Sequence, residues 1–429
     1  MTHPGAEHLS PVLGRYFERQ WSHGEGHCLY DMEGRAYLDF ACGIATTSLG
    51  HGHPRVTAAI HEQVDRLVHT SNATGFIGPV SRLAQLLADA LPDPLDTVFF
   101  GNSGTEAIEG ALKLARRVTG RPGIVCFSGG FHGRSFGALS VTTSNLNYRT
   151  GYEPLLPSVH VSAFPAAYRD FGGDEERATT VALDHLARLL AEQVPATSVA
   201  ALLIEPILGE GGYVPAPLPF LRGLRELCDR HGILLSCDEV QTGYGRTGQM
   251  WAFEHAGIVP DVVCVAKSIA NGLPLGAIVT RRELQERWGV GAHGTTSGGN
   301  PVACAAGIAV IETIADEGLV ENAAARGEEL IRGLRGLMDG DDGDSRIGDV
   351  RGRGLMIGVE LLRDRDSRTP DGALAQAVIN RCADDGLLLL TCGPAHNVIR
   401  WIPPLDVTPD ELATALRTFQ VALEATPSG

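Results

Sequence analysis

Phe100-Gly-Asn-Ser-Gly-Thr-Glu-Ala107 is the stretch whose reading decides the fold. A short apolar run, Thr97–Phe100, ends at a glycine-bearing turn, and an amphipathic run, Gly104–Val118, begins. In that run Ile108, Ala111, Leu112 and Ala115 recur at the i, i+3, i+4, i+7 spacing of one helical face. Ser103 stands at the N-cap with Glu106 three residues on, the spacing of a capping box. The free N–H groups of such a first turn, with the hydroxyls of Ser103 and Thr105, form a natural seat for phosphate. The plain alternative is a helix cap without a ligand, and such caps are common.

The same alternation continues outward. Ile124–Phe127, Val199–Ile204, Ile233–Cys237, Val262–Val265 and Leu275–Thr280 are short apolar runs that read as buried strands. Ala178–Gln193 and Pro219–His231 read as amphipathic helices between them. Strands alternating with helices predict an α/β fold, with a largely parallel sheet covered on both faces. Asp339–Asp344 is acidic and glycine-rich and reads as a surface loop, without the spacing or terminal Glu of an EF-hand. Beyond it Gly354–Leu361 and Val398–Ile402 look like strands, and Pro409–Leu423 like a last helix. The expected organisation is a large domain over residues 61–325 and a smaller α+β domain built from both ends, residues 1–60 and 326–429.

A net charge of −16 argues against nucleic acid and anionic membranes as partners. No apolar run is long enough to span a bilayer, and from the polar, non-basic N-terminus no signal peptide is expected. Nine cysteines are scattered singly with no Cys-x-x-Cys pair, so a reduced, cytoplasmic protein is expected. The cation usage is lopsided: of 35 basic residues only Lys113 and Lys267 are lysines. Lys267 follows the apolar run Asp261-Val-Val-Cys-Val-Ala266. Arginine keeps its proton in a protein, whereas a desolvated lysine can become a neutral nucleophile and form a Schiff base. Lys267 is therefore the candidate reactive residue; the alternative is a surface lysine in a loop.

Ser236-Cys-Asp-Glu-Val-Gln241 places two acids at the carboxyl end of a strand, where open α/β sheets bind ligands. No His or Cys stands at metal-ligand spacing, so no metal is expected, and a carboxylate facing a protonated ring nitrogen accounts for the burial better. The alternative is an acid that caps the next turn. His293-Gly-Thr-Thr-Ser-Gly-Gly-Asn-Pro301 is a run of small and hydroxylated residues that can pack close to a phosphate, or a flexible loop. Phosphate seat, ring-nitrogen carboxylate and amine nucleophile together describe a site for pyridoxal 5′-phosphate (PLP).

With those motifs the chain resembles the class III (ω-amino acid) aminotransferases of PLP fold type I, most of all their 4-aminobutyrate type. The resemblance covers nearly the whole chain. It runs from Tyr37-Leu-Asp-Phe-Ala-Cys-Gly-Ile-Ala45 and Leu49-Gly-His-Gly-His-Pro54 through Asn102-Ser-Gly-Thr-Glu-Ala107 and Phe131-His-Gly-Arg134. It continues through Glu205-Pro-Ile-Leu-Gly-Glu-Gly-Gly212, Asp238-Glu-Val-Gln241 and Lys267 to Arg400-Trp-Ile-Pro-Pro-Leu405. It implies that Lys267 holds PLP through a Schiff base and then moves a proton, while Asp238 keeps the ring nitrogen protonated. It implies that Gln241 bonds the phenolic oxygen and that Phe131 stacks on the ring with His132 beside it. Ser103, Gly104 and Thr105 would seat the phosphate, Glu205 and Val240 would lie at the ring, and Thr296 would reach the phosphate of a neighbouring subunit. The implied assembly is a homodimer, with pairing into a tetramer left open.

For substrate, the resemblance implies that Arg134 grips a distal carboxylate and Arg400 an α-carboxylate through a bidentate pair. Glu210 would cover Arg400 when an ω-amine is bound, and Ile44 would form a pocket wall. Tyr148-Arg-Thr-Gly-Tyr-Glu-Pro-Leu-Leu-Pro157 and Ala167-Tyr-Arg169 are nearer the 4-aminobutyrate than the acetylornithine type. Ser297 replaces a usual aromatic residue, which leaves room beside the phosphate. The expected activity is ping-pong transfer of an amino group from an ω-amino acid, 4-aminobutyrate first, to 2-oxoglutarate. The alternatives are an acetylornithine/ornithine-type aminotransferase, a racemase or epimerase on the same fold, and a non-enzymatic relative. The last predicts a damaged PLP set, which is not seen. A dehydrogenase would need a strand-linked Gly-x-Gly-x-x-Gly, and Gly209-Glu-Gly-Gly212 lacks that spacing.

Overall fold

Val199-Ala-Ala-Leu-Leu-Ile204 is buried at every position, the pattern of a strand covered on both faces. In the computed structural model, which describes residues 5–339 and 343–427, it lies inside a seven-stranded sheet. We label its strands in chain order: β1 (Thr97–Gly101), β2 (Gly123–Phe127), β3 (Val159–Ser162), β4 (Val199–Ile204), β5 (Leu234–Asp238), β6 (Val262–Val265) and β7 (Gly276–Thr280). The spatial order is β1-β7-β6-β5-β4-β2-β3. β7 is antiparallel to both neighbours, and the strands from β6 to β3 pair in parallel. The fold is α/β with the expected central sheet. β3 was not foreseen: its residues Val-His-Val-Ser are half polar, as an edge strand permits.

Alternate residues of each strand face opposite sides. Ile124, Cys126, Leu203, Val262, Cys264 and Ile278 pack with Ile108, Leu112 and Ala115 of helix Gly104–Thr119. Val125, Phe127, Leu202, Leu235, Val263 and Val279 belong to the larger core on the other face, with Leu186, Phe220 and Leu224. Helix Pro54–Arg66 lies on helix Pro301–Asp316.

The chain ends meet. Trp21–Glu25, Cys28–Asp31 and Ala36–Asp39 form a small sheet that Leu387–Leu388 joins, parallel to Ala36–Asp39. Ile347–Arg353, Met356–Asp364, Val398–Trp401 and Leu390–Cys392 form a second sheet. His27 ties the ends together, 3.0 Å from Asp406 and 2.8 Å from Glu411. Of the acidic loop expected at Asp339–Asp344, residues 340–342 lie outside the described residues, as do the first four of the chain. No helix among the described residues is long and apolar enough to cross a membrane.

Candidate active site

The direction of the strands brings the motifs together. Ser103 follows β1, Phe131 and His132 follow β2, Glu205 follows β4, Asp238 ends β5 and Lys267 follows β6. All five strands run the same way, so these residues gather at one carboxyl edge of the sheet. Ser103, Gly104, Thr105, Phe131, His132, Glu205, Asp238, Val240, Gln241 and Lys267 all line one cavity of about 400 Å³. β7 runs the other way, and Pro274 and Leu275 at its start close the same cavity.

Lys267 has a φ of 48°, in the left-handed region that costs a residue with a side chain about 1–3 kcal/mol and persists only where the surroundings impose it. The segment Ala45–Gly50 imposes it here. Ser268 Oγ lies 2.6 Å from Ser48 Oγ, and Asn271 accepts from the Leu49 N–H at 2.9 Å and donates to the Gly50 carbonyl at 3.0 Å. Arg246, wholly buried, donates to Ser48 Oγ at 3.0 Å and to the Pro403 carbonyl at 2.5 Å. Burial lowers the Lys267 pKa below that of an ordinary lysine, against the opposing charges of Glu210, Asp238 and Glu205.

Asp238 is buried, and its Oδ2 lies 2.7 Å from His132 Nδ1 while Oδ1 accepts from the Val240 N–H at 3.0 Å. Burial alone would lower the His132 pKa, but the hydrogen bond and charge of Asp238 outweigh it and the pKa is raised. Glu205 accepts from the N–H groups of Phe131 at 2.7 Å and Gly209 at 2.9 Å. Burial pushes its carboxyl up to about 7, His132 opposing and Asp238 adding to the shift. Gln241 Oε1 accepts from the Tyr213 hydroxyl at 2.6 Å, which fixes the amide and leaves its NH₂ for another acceptor.

At the helix start, Ser103 Oγ accepts from the Glu106 N–H at 3.3 Å. The reciprocal half of the expected capping box is absent: the Glu106 carboxylate takes both the N–H and the side-chain amide of Asn102, at 2.8 and 2.9 Å. Gly104 has no room for a side chain, since a Cβ there would lie 2.9 Å from Val240 Cγ1. The first-turn N–H groups have no intrahelical acceptor, so this end is an anion seat.

The substrate candidates lie outside that lining. Arg400 is fully buried, and its Nη1 donates to Glu210 Oε1 at 2.5 Å. The exposed Arg134 stands over the Tyr148 ring, 4.4 Å from its centroid, and 5.8 Å from that of Phe131. Ile44 is partly exposed, with a φ of 62°. Thr296 and Ser297 are exposed loop residues that do not line the cavity, although the adjacent Thr295 accepts from Asn102 at 3.2 Å. Lys113 Nζ donates to His293 Nδ1 at 2.9 Å, at the base of that loop. Sequence reasoning missed Asn102, Thr46 and Leu273 in the lining, and Tyr213 behind Gln241. Tyr213 stood within reach, directly after the quoted run Glu205–Gly212.

Residues 14–423 match the profile of the family Aminotransferase class-III. The chain belongs to the class III aminotransferases. It is 44% identical over 403 residues to an acetylornithine aminotransferase of Methanopyrus kandleri, covering 94% of this chain and 93% of that protein. It is 37% identical over 389 residues to the 4-aminobutyrate aminotransferase GabT of Escherichia coli, covering 90% and 89%. Among solved structures it is similar to a PLP-bound amine transaminase from an uncultivated Pseudomonas species, with a TM-score of 0.89 and 32% identity over 100% of this chain and 99% of that one. This class III aminotransferase is a PLP enzyme acting on amino and 2-oxo acids, and its fold is PLP fold type I. The cavity suits PLP, since an anion seat, a buried carboxylate and a lysine of lowered pKa stand around it. The 44% relative shows that similarity is not confined to the 4-aminobutyrate type.

Proposed function

We propose that the enzyme transfers the amino group of an ω-amino acid, 4-aminobutyrate first, to 2-oxoglutarate. The observation that carries this reading is the ion pair of the buried Arg400 with Glu210 at 2.5 Å, with Arg134 held apart over Tyr148. A substrate with a carboxylate at each end needs two cationic anchors, whereas an ω-amino acid needs one. Glu210 masks Arg400 for the second kind and yields it to the first, so one pocket serves both partners of a ping-pong reaction.

PLP, when bound, supplies a protonated ring that draws electrons from the substrate carbon. The chain's own residues do the rest. Ser103, Gly104 and Thr105 would hold the phosphate, Phe131 and Val240 would flank the ring, and Gln241 would bond its phenolic oxygen. Asp238 would face the ring nitrogen and hold its proton there, and its bond to His132 keeps the carboxylate oriented. Lys267, whose pKa burial lowers, takes and returns the substrate proton. Glu205, fixed by two backbone donors, bounds the cavity behind the ring. Ile44 forms part of the substrate wall. Thr296 serves a neighbouring subunit, so the working unit is a homodimer. The large unit over residues 61–325 carries the cofactor together with Arg134 and Glu210, and the two ends add Ile44 and Arg400 on the substrate side.

The identity to acetylornithine aminotransferase favours a second reading, with N-acetylornithine as donor and its α-carboxylate on Arg134. A donor panel separates the two. Loss of the holoenzyme's visible absorbance with 4-aminobutyrate, and glutamate formed on adding 2-oxoglutarate, is expected. An unchanged spectrum with 4-aminobutyrate alongside a full response to N-acetylornithine overturns the first reading.

A further inference from the structure

Arg400 has three acceptors, and they differ in kind. Glu210 Oε1 takes Nη1 at 2.5 Å, while Nη2 is shared by the Thr391 carbonyl and the Tyr16 hydroxyl, each at 2.9 Å. Thr391 is backbone within a strand and stays. Tyr16 comes from the irregular stretch that precedes the first strand, where no helix or strand holds residues 14–20. Neighbouring side chains dock that stretch. Arg19 donates to the Tyr37 hydroxyl and to Asp384, both at 2.8 Å, and Phe17 packs against Tyr37 and Leu388. The Tyr16 ring is thereby delivered to a charge that is otherwise closed from solvent.

The phenol is poorly employed where it stands. Its oxygen accepts from Arg400, but its O–H reaches the Thr391 carbonyl at 3.4 Å, well beyond the usual ~2.7–2.8 Å of such a bond. A carboxylate that replaces Glu210 on Nη1 finds the adjoining Nη2 already taken by Thr391 and Tyr16, and of the guanidinium nitrogens only Nε is without a partner. The under-used phenol O–H stands beside that position.

We propose that Tyr16 is a specificity-determining residue, which donates to the carboxylate that displaces Glu210 and so makes the Arg400 site a two-point donor to 2-oxo acids. This rests on the reading of Arg400 and Glu210 as the carboxylate switch. A donor bound with Glu210 still on Arg400 leaves Tyr16 unused. The residue therefore favours the acceptor half of the reaction over the amine half, and the irregular N-terminal stretch becomes a wall of the acceptor pocket.

The test is Tyr16→Phe in the holoenzyme, which keeps the ring and removes the O–H. Binding of glutarate, a non-reacting dicarboxylate, is measured by calorimetry, and KM and kcat are measured for 2-oxoglutarate and for the fastest amine donor of the panel. Glutarate dissociation and the 2-oxoglutarate KM should each rise about tenfold, as for loss of a hydrogen bond to a charged group, with kcat nearly kept. The ratio of acceptor KM to donor KM should rise by the same factor. Equal changes in both substrates would mark a structural role and overturn the inference, as would no change in either. Arg400→Lys is run in parallel. If it leaves glutarate binding at the parent level, the switch reading itself fails; if it weakens glutarate while Tyr16→Phe does not, the inference about Tyr16 alone falls.

Discussion

Replacing Glu210 by Gln removes one charge from the Arg400 pair while keeping its size and one acceptor. The Arg400 side chain is wholly buried and that of Glu210 is 18% exposed. Breaking a fully buried pair costs about 3–5 kcal/mol because the other charge is left uncompensated. Partial exposure of Glu210 and the amide oxygen that remains bring the expected loss of stability to about 1–2 kcal/mol. The two half-reactions should move in opposite directions. A 2-oxo acid no longer competes with Glu210 for the guanidinium, so its KM should fall about tenfold, worth ~1.4 kcal/mol. An ω-amine must instead place its methylene chain against an uncompensated cation, so its kcat/KM should fall by about the same factor. Single-turnover spectroscopy reads each half-reaction separately, amine donor against holoenzyme and 2-oxoglutarate against the aminated enzyme. A ratio between the halves shifted by about a hundredfold is expected from those two opposite factors. Equal shifts in the same direction would refute the switch.

Asp238→Asn should lower turnover about 10²–10³-fold, since it removes a preorganised charge at the ring nitrogen, and should drop the His132 pKa, which NMR of the ring can follow. Gly104→Ala drives a methyl to 2.9 Å from Val240 Cγ1, so cofactor retention on dialysis should weaken about tenfold without loss of the fold. His27 carries a pH signature. Burial lowers its pKa but Asp406 and Glu411 raise it more, to about 10 from 6.5 in the unfolded chain. The folded state therefore binds the proton more tightly, and the stabilisation is complete below pH 6.5 and is lost as pH rises through about 10. His27→Gln should cost about 1–2 kcal/mol in urea unfolding at pH 6 and progressively less toward pH 10; a cost independent of pH would show that packing alone holds the site.

The parts of this site that could be read from the chain were those in which backbone and chemistry coincide. A short apolar strand followed by a turn and a helix start announces both the sheet and the anion seat at Ser103, and an apolar strand before one of only two lysines singles out Lys267. The parts that could not be read are long-range. Nothing near Tyr16 announces that its hydroxyl meets Arg400, 384 residues away. Arg246 looks like any arginine after a glycine turn, yet it lies buried between Ser48 and Pro403. The reversed direction of β7 is invisible too, because Gly276–Thr280 is buried throughout, like the parallel strands of the sheet. Glu106 has the spacing of a capping box, but Asn102 offers it two donors and wins. In each case local pattern fixed the residue's type and tertiary contact its partner.

The two-lysine composition makes the central claim directly measurable. Reduction of the holoenzyme with borohydride, digestion and mass spectrometry should find the pyridoxyl phosphate group on the peptide carrying Lys267 and leave Lys113 unmodified. Label on Lys113, or on neither lysine, would contradict the account.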